Sequence, residues 1–222
     1  MPPTERTSRE QHPDTTTPGS DAASPLLRWA LHLAGRGWAV FPLRPLTKDR
    51  PMVKDWEHCA TTETATIHAW WMATPTANIG LACGPSNLYV VDCDVLKPGE
   101  PMPAGHPAGR VESGLQVLRA LAARRGDLIA ATYAVTTASG GWHLYYTKPA
   151  GAALRTAGKL GFKLDTRGHG GYVVGPGSVL PRGGTSSTTT APPPRCPAGY
   201  TRPSLQCSHR PAQRCPSRPV CG

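Results

Sequence analysis

The run Leu88-Tyr-Val-Val-Asp92-Cys-Asp94 ends a short apolar stretch in two aspartates one residue apart. Side chains alternate across a strand, so positions i and i+2 share a face, and Asp92 and Asp94 should present their carboxylates side by side. Such a pair repels itself unless a cation lies between. Hard oxygen donors of this kind suit Mg²⁺ or Mn²⁺, which keep several waters and share ligands with substrate phosphates. An Asp-x-Asp also occurs in ordinary surface turns, so its meaning depends on what else the chain carries.

Three other segments offer matching chemistry. In Thr137-Ala-Ser139-Gly140-Gly141-Trp-His143-Leu-Tyr145 the serine and glycines predict a turn whose backbone N–H groups can approach a phosphate closely. In the strand that follows, His143 and Tyr145 share one face and Trp142, Leu144 and Tyr146 the other. The plainer alternative is a hairpin turn followed by a solvent-facing histidine. Lys163-Leu-Asp165-Thr-Arg167-Gly168 sets a third carboxylate beside a guanidinium. The two form either a surface ion pair of little worth or the third acid of a trio with an arginine able to grip phosphate through two hydrogen bonds. Lys48 lies in a loop after a strand, where a lysine is either solvated or directed at a ligand.

Positioning these groups requires a mixed architecture. Ser24-Pro25 is a helix start, and Leu26, Leu27, Ala30, Leu31 and Ala34 recur at helical spacing until Gly35 and Gly37. Trp38 to Phe41 reads as a strand ended by Pro42, followed by a loop from Leu43 to Val53. A second helix is expected from about Thr62 to Ala73, with Ile67, Trp70 and Trp71 inward. Asn78 to Cys83 and Leu88 to Asp92 read as two strands of one β-hairpin around Gly84-Pro85-Ser86. Lys97 to Gly109 is a Pro/Gly-rich loop, and Leu115 to Ala122 a third helix closing near Arg125-Gly126. Thr132 to Thr137, Trp142 to Thr147 and Gly171 to Gly175 are further strands, the last the final one expected. Without a regular βαβ repeat the fold class is α+β.

The chain has 222 residues, enough for one sizeable domain, and a formal net charge of +10. That charge is uneven. Residues 185–222 hold Arg195, Arg202, Arg210, Arg214 and Arg218 with no lysine or acidic residue, so the rest is only mildly basic. Residues 1–24 read as a disordered leader, 25–183 as the catalytic domain, and 184–222 as a Pro/Arg/Cys-rich tail resembling GC-rich DNA read out of frame. Cys196, Cys207, Cys215 and Cys221 lack a Cys-x-x-Cys knuckle, which argues against a zinc site with His209. Cys59, Cys83 and Cys93 read as buried thiols. No apolar run approaches the roughly 18 residues of a membrane span, and no signal-peptide core is present, so a cytoplasmic protein without membrane partners is expected.

Taken together, Gly37-Trp-Ala-Val-Phe-Pro42 with Lys48 and Pro51, Trp70-Trp71, Ala77-Asn78-Ile-Gly80, Val91-Asp92-Cys-Asp94, Thr137 to His143, Asp165-Thr-Arg-Gly168 and Gly171-Tyr-Val-Val174 resemble the bifunctional primase–polymerase domain of the archaeo-eukaryotic primase superfamily. The resemblance spans roughly residues 26–183. It implies an RRM-like sheet packed with a smaller N-terminal α/β unit, and a nucleotidyltransferase that synthesises or extends primers on single-stranded DNA from NTPs or dNTPs, for a plasmid, phage or integrative element. It further implies Mg²⁺ or Mn²⁺ on Asp92, Asp94 and Asp165. Nucleotide contacts would fall to Ser139, Gly140, Gly141 and His143, with Arg167 and Lys48 facing nucleotide or template. With no Walker-type loop in the chain, the implied helicase partner is a separate protein. The sequence departs from the family at Gly175-Pro-Gly-Ser178, where a Pro-Pro-Ser segment and a further strand are usual. The alternative reading is a catalytically defective module of the same fold that binds single strands as a replication accessory. A structural protein with a fortuitous Asp-x-Asp is the third.

Overall fold

The computed structural model describes residues 24–104, 109–156, 160–181 and 183–187. The expected leader, except Ser24, and the tail beyond 187 lie outside the described residues. The elements run α1 (Pro25–Gly35), β1 (Val40–Leu43), α2 (Trp56–Cys59), α3 (Thr64–Ala73), β2 (Asn78–Ala82), β3 (Leu88–Cys93), α4 (Gly114–Arg124), β4 (Tyr133–Thr136), β5 (Trp142–Thr147), β6 (Leu164–Arg167), β7 (Tyr172–Val174), β8 (Val179–Leu180), β9 (Gly183–Gly184) and β10 (Ser186–Ser187). Helix α1 begins as its sequence predicts, with the Ser24 hydroxyl accepting from the Leu27 N–H at 3.1 Å and proline at the first position. Helix α3 starts later than expected, because the Glu63 carboxylate caps the Ala65 and Thr66 N–H groups.

Two antiparallel sheets carry the structure. A five-stranded sheet has the order β10-β4-β5-β3-β6, and a three-stranded sheet has the order β1-β2-β7. Within the larger sheet, β3, α4, β4, β5 and β6 reproduce the strand order of an RRM-like β-α-β-β-α-β unit. The described part of the link from β5 to β6 is non-helical, so the second helix of that unit is absent among the described residues. The fold class is α+β, as the sequence indicates.

The pairing of β2 with β3 as a hairpin is corrected. β2 is flanked by β1 and β7, and β3 by β5 and β6, so neither has an edge left for the other. The turn after Ala82 instead carries the chain from one sheet to the other. It closes with Ser86 N–H to Ala82 O and Leu88 N–H to Cys83 O, and the Ser86 hydroxyl accepts from Ala39 N–H. A second crossing lies alongside, where the Cys83 N–H donates to Gly171 O.

Three further corrections are local. Pro42 lies inside β1 rather than ending it, opposite Ile79. Its ring nitrogen faces away from β2, on the side where its carbonyl accepts from Met52 N–H, so no ladder bond is lost. Strand β6 goes beyond the sequence expectation, since Leu164-Asp-Thr-Arg167 has little apolar signal. Strand pairing also continues past residue 183, with Ser186 and Ser187 paired to Thr136 and Val135.

The core is continuous between the sheets. On the face of the larger sheet that carries Val90, Tyr133, Val135 and Tyr145, these side chains pack with α1, α3 and the smaller sheet. Trp38 joins the units, stacked on Tyr145 at 5.4 Å and edge-on to Tyr133 at 5.1 Å. On the opposite face α4 covers Val91, Cys93, Leu144, Tyr146 and Leu164. Alternation thus divides β5 as its sequence predicts. Cys83 and Cys93 are buried, their thiols pushed up to about 12 by burial, whereas Cys59 is only half-buried.

Candidate active site

The β3 and β6 ladder sets Asp92 directly opposite Asp165, and the β3 and β5 ladder sets Asp92 directly opposite His143. Direct partners in an antiparallel pair project to the same face. The three side chains therefore stand in a row across β6, β3 and β5, beyond the packed tyrosines. The His143 Nε2 lies 3.5 Å from Asp92 Oδ1. One pair of residues along the strand, Arg167 stands opposite Val90, and its Nη2 is 3.9 Å from Asp165 Oδ2.

Asp94 follows the last residue of β3 and is exposed. Its backbone is fixed from both sides: its N–H donates to Lys163 O at 3.0 Å, and its carbonyl accepts from Gly114 N–H at 2.8 Å. A Cβ at Gly114 would collide with the Lys163 carbonyl, so only glycine allows α4 to begin there. Lys163 itself adopts a left-handed backbone, and its ammonium grips both oxygens of Glu100 at 2.5 and 2.6 Å.

The charges of the cluster are mutually felt. Burial, reinforced by Asp94 and Asp165 and opposed by Arg167 and Lys48, pushes the Asp92 carboxyl up to about 6. Burial, with Arg167 and Lys48 adding to it, pushes His143 down to about 4. At neutral pH His143 is neutral, so its approach to Asp92 is a dipolar contact rather than an ion pair. Its Nδ1 is buried and has no hydrogen-bond partner among the described residues, as do the hydroxyls of Tyr133 and Tyr145. Lys48 belongs to the β1 side of the molecule yet acts electrostatically on both Asp92 and His143. The cluster thus lies where the two sheets meet.

The Ser139-Gly-Gly turn adjoins the acids. The Gly140 N–H donates to Thr137 O at 2.9 Å, and the Gly141 N–H to the Thr137 hydroxyl at 3.0 Å. These two amides are engaged within the turn, which corrects the expectation that they form an open phosphate nest. The glycines serve geometry instead. A Cβ on Gly141 would lie 2.6 Å from Cys93 O and 3.4 Å from the Asp94 Cα. Ser139 is exposed at the tip, its hydroxyl 3.1 Å from that of Thr137.

The donor set fits a divalent cation by its chemistry. It offers oxygen ligands only, and Asp92 bears repulsion from Asp94 and Asp165 that a cation would relieve. Among the described residues, however, no three or more His, Cys, Asp or Glu side chains are gathered so that they could hold a metal ion as they stand. Sequence reasoning gave no role to Asp49 or to Tyr172, whose phenol is raised by partial burial and by Asp49 and lowered by Arg167. Neither lies in a chemically suggestive pattern, and only the fold brings them near.

Fold and side chains define a class: an α+β domain whose RRM-like sheet carries an acidic cluster together with Arg167 of the same sheet, faced by Lys48 from the loop after β1 of a second, smaller sheet. The family model described as "Bifunctional DNA primase/polymerase, N-terminal" matches residues 30–200, and the chain belongs to this family. A search among curated proteins found no match. Among the described residues no helix is long and apolar enough to cross a membrane.

Proposed function

We propose that the protein is a metal-dependent nucleotidyltransferase that synthesises or extends primers on single-stranded DNA by two-metal phosphoryl transfer. The observation that carries the reading is the row Asp165, Asp92 and His143, with Asp94 beside it and Lys48 and Arg167 facing it. Asp92, Asp94 and Asp165 would hold Mg²⁺ or Mn²⁺. Bound there, the ions would supply activation of a primer 3′-hydroxyl and neutralise charge on the α-phosphate and departing pyrophosphate.

The chain's own residues do the rest. Neutral His143 sets its Nε2 at the acidic cluster, 3.5 Å from Asp92 Oδ1, where an N–H could donate to a phosphate oxygen, and its burial keeps the ring in one orientation. Lys48 and Arg167 place positive charge opposite a triphosphate, Arg167 through a guanidinium suited to two-point contact. The Ser139 hydroxyl, at the turn tip, adds a donor that needs no charge. Half-buried Asp92 and the packed tyrosines behind it limit water at one side of the site.

Family membership supports a role in DNA replication. That the replicated element is a plasmid, phage or integrative element, that the protein acts in the cytoplasm, and that it works with a helicase are further parts of this proposal. Extension of a primed single-stranded template with NTPs or dNTPs tests the chemistry. Product should require Mg²⁺ or Mn²⁺ and disappear in Asp92→Ala, Asp94→Ala and Asp165→Ala. Undiminished synthesis by these variants overturns the reading. A second reading, a non-catalytic single-strand-binding accessory of the same fold, is favoured by the exposure of Asp94 and the open ligand set. It predicts template binding without synthesis, unchanged in the aspartate variants.

A further inference from the structure

Asn78, the first residue of β2, has a side chain that joins three separate parts of the chain. It is 1% exposed. Its Nδ2 donates to Thr47 O at 3.0 Å and to Val179 O at 2.7 Å, while its Oδ1 accepts from Val179 N–H at 2.9 Å. The amide's two donor hydrogens and one lone pair are thus used, and burial makes each bond costly to lose.

What the first of these bonds holds is the loop that bears Lys48. From Arg44 to Arg50 the loop is exposed except for half-buried Thr47. Its backbone bonds close upon itself, Arg44 N–H to Arg50 O and Thr47 N–H to Arg44 O, and Leu46 turns it through a left-handed conformation. A loop built this way keeps its shape but not its place. The Asn78 bond to the Thr47 carbonyl, one peptide ahead of Lys48, ties the tip to the body of the protein. The other end of the amide is equally well anchored. Ser178, fully buried, accepts from Ile79 N–H through its hydroxyl at 3.0 Å, and Thr185 donates to Gly175 O. From there the chain reaches β10, paired with β4, which leads into the Ser139-Gly-Gly turn.

We propose that Asn78 is a positioning residue that holds the Lys48 ammonium toward the acidic cluster, through its hydrogen bond to the Thr47 carbonyl. This rests on the nucleotidyltransferase reading, since Lys48 is taken there to face the nucleotide. Among the described residues, the hydrogen bonds of Asn78 run to Thr47 and Val179 and not to Asp92, Asp94 or Asp165. The Thr47 bond can affect substrate only by placing Lys48, and a double variant with Lys48→Ala separates this route from one through Val179.

Two variants separate the tether from general stability. Asn78→Thr suits a strand, and its hydroxyl, one bond nearer the backbone, gives up the bonds to Thr47 and Val179 alike. Asn78→Asp keeps the acceptor but turns a carboxylate toward two carbonyls. Melting curves establish that each variant folds. Within the loop Arg44 and Arg50 both precede proline, so trypsin can cut only after Lys48. Cleavage there should accelerate about tenfold in either folded variant, the scale of one net hydrogen bond, while cleavage after Arg124 in α4 is unchanged. With oligo(dT) as template and ATP or dATP as substrate, Asn78→Thr should raise KM about tenfold with kcat largely kept. In a Lys48→Ala background the same change should add less than about twofold.

Effects that multiply in the double variant, or Lys48 cleavage that rises only in step with cleavage after Arg124, would overturn the proposal. If the unaltered protein polymerises nothing, the enzymatic reading fails on its own account. The trypsin comparison then still decides whether Asn78 secures the loop.

Discussion

Asp92 on β3 and Asp165 on β6 face one another as direct cross-strand partners, and His143 on β5 faces Asp92 from its other side. Like charges directly opposed in a sheet are destabilising. The arrangement therefore makes sense where a cation or a proton offsets the repulsion, and four expectations follow from that placement and its surroundings.

Magnesium or manganese should raise the melting temperature of the protein by mass action, in proportion to the logarithm of ion concentration above its Kd. Asp92→Asn and Asp165→Asn should abolish that rise while remaining folded. In primer extension the alanine variants should lose more than about a hundredfold in rate, since several kcal/mol of charge stabilisation is at stake. Differential scanning fluorimetry with and without the ion checks the first part and single-turnover extension the second.

Stability against pH gives an independent handle. Asp92 titrates near 6 in the native state against 3.8 unfolded, so the native state holds the extra proton between those values. Its contribution is present below about pH 4 and lost as pH rises through 6, on the order of 3 kcal/mol at most. His143 titrates near 4 against 6.5, so its contribution is present above 6.5 and lost as pH falls through 4. The two slopes oppose one another between about 4 and 6, and the metal-free protein should show a nearly flat profile there. Asp92→Asn should expose the rising slope and be more stable than the parent at pH 7. His143→Gln should expose the falling one. Melting temperatures from pH 4 to 7 in chelator read both, and a less stable Asp92→Asn at pH 7 would contradict the assignment.

Gly141→Ala should be costly despite its small size. The new methyl would press on the Cys93 carbonyl at 2.6 Å, pushing the turn away from the strand end that presents Asp94. An overpacking cost of about 1–3 kcal/mol is expected, measurable by urea denaturation, together with a loss of activity beyond what stability explains. Ser139→Ala, at the exposed tip of the same turn, should leave stability unchanged.

Arg167→Ala removes the positive charge nearest both Asp165 and Asp92. The repulsion within the acidic row then goes less opposed, and Asp92 should titrate higher still. Nucleotide KM should rise by about tenfold, in line with the loss of a charge-assisted contact. Arg167→Lys should recover only part of this, because an ammonium cannot make the two-point contact. A side-chain carboxyl titration by NMR and a substrate series read the two effects separately.

Much of the site was legible along the chain because alternation and short motifs act locally. The i, i+2 spacing of Asp92 and Asp94, the split of β5 into a His143/Tyr145 face and a Trp142/Leu144/Tyr146 face, and the Ser24 cap depend on neighbours a few residues away. The partnership of Asp92 with Asp165 does not. It depends on β6, whose Leu-Asp-Thr-Arg run has no apolar alternation to announce a strand and is recruited only because β3 has an edge to fill. The same edge competition separated β2 from β3, which their spacing and turn had joined: each found better partners elsewhere. The glycines of the Ser139 turn looked like an open anion cradle, but the Thr137 hydroxyl and carbonyl occupy their amides. Lys48, Asn78 and Val179 come together only through long-range packing, since a buried amide takes whatever backbone groups the fold delivers to it. The sequence by itself determined which chemistry the chain could carry. The tertiary structure decided which of those groups meet, because register between distant strands is set by burial and edge satisfaction across the whole sheet.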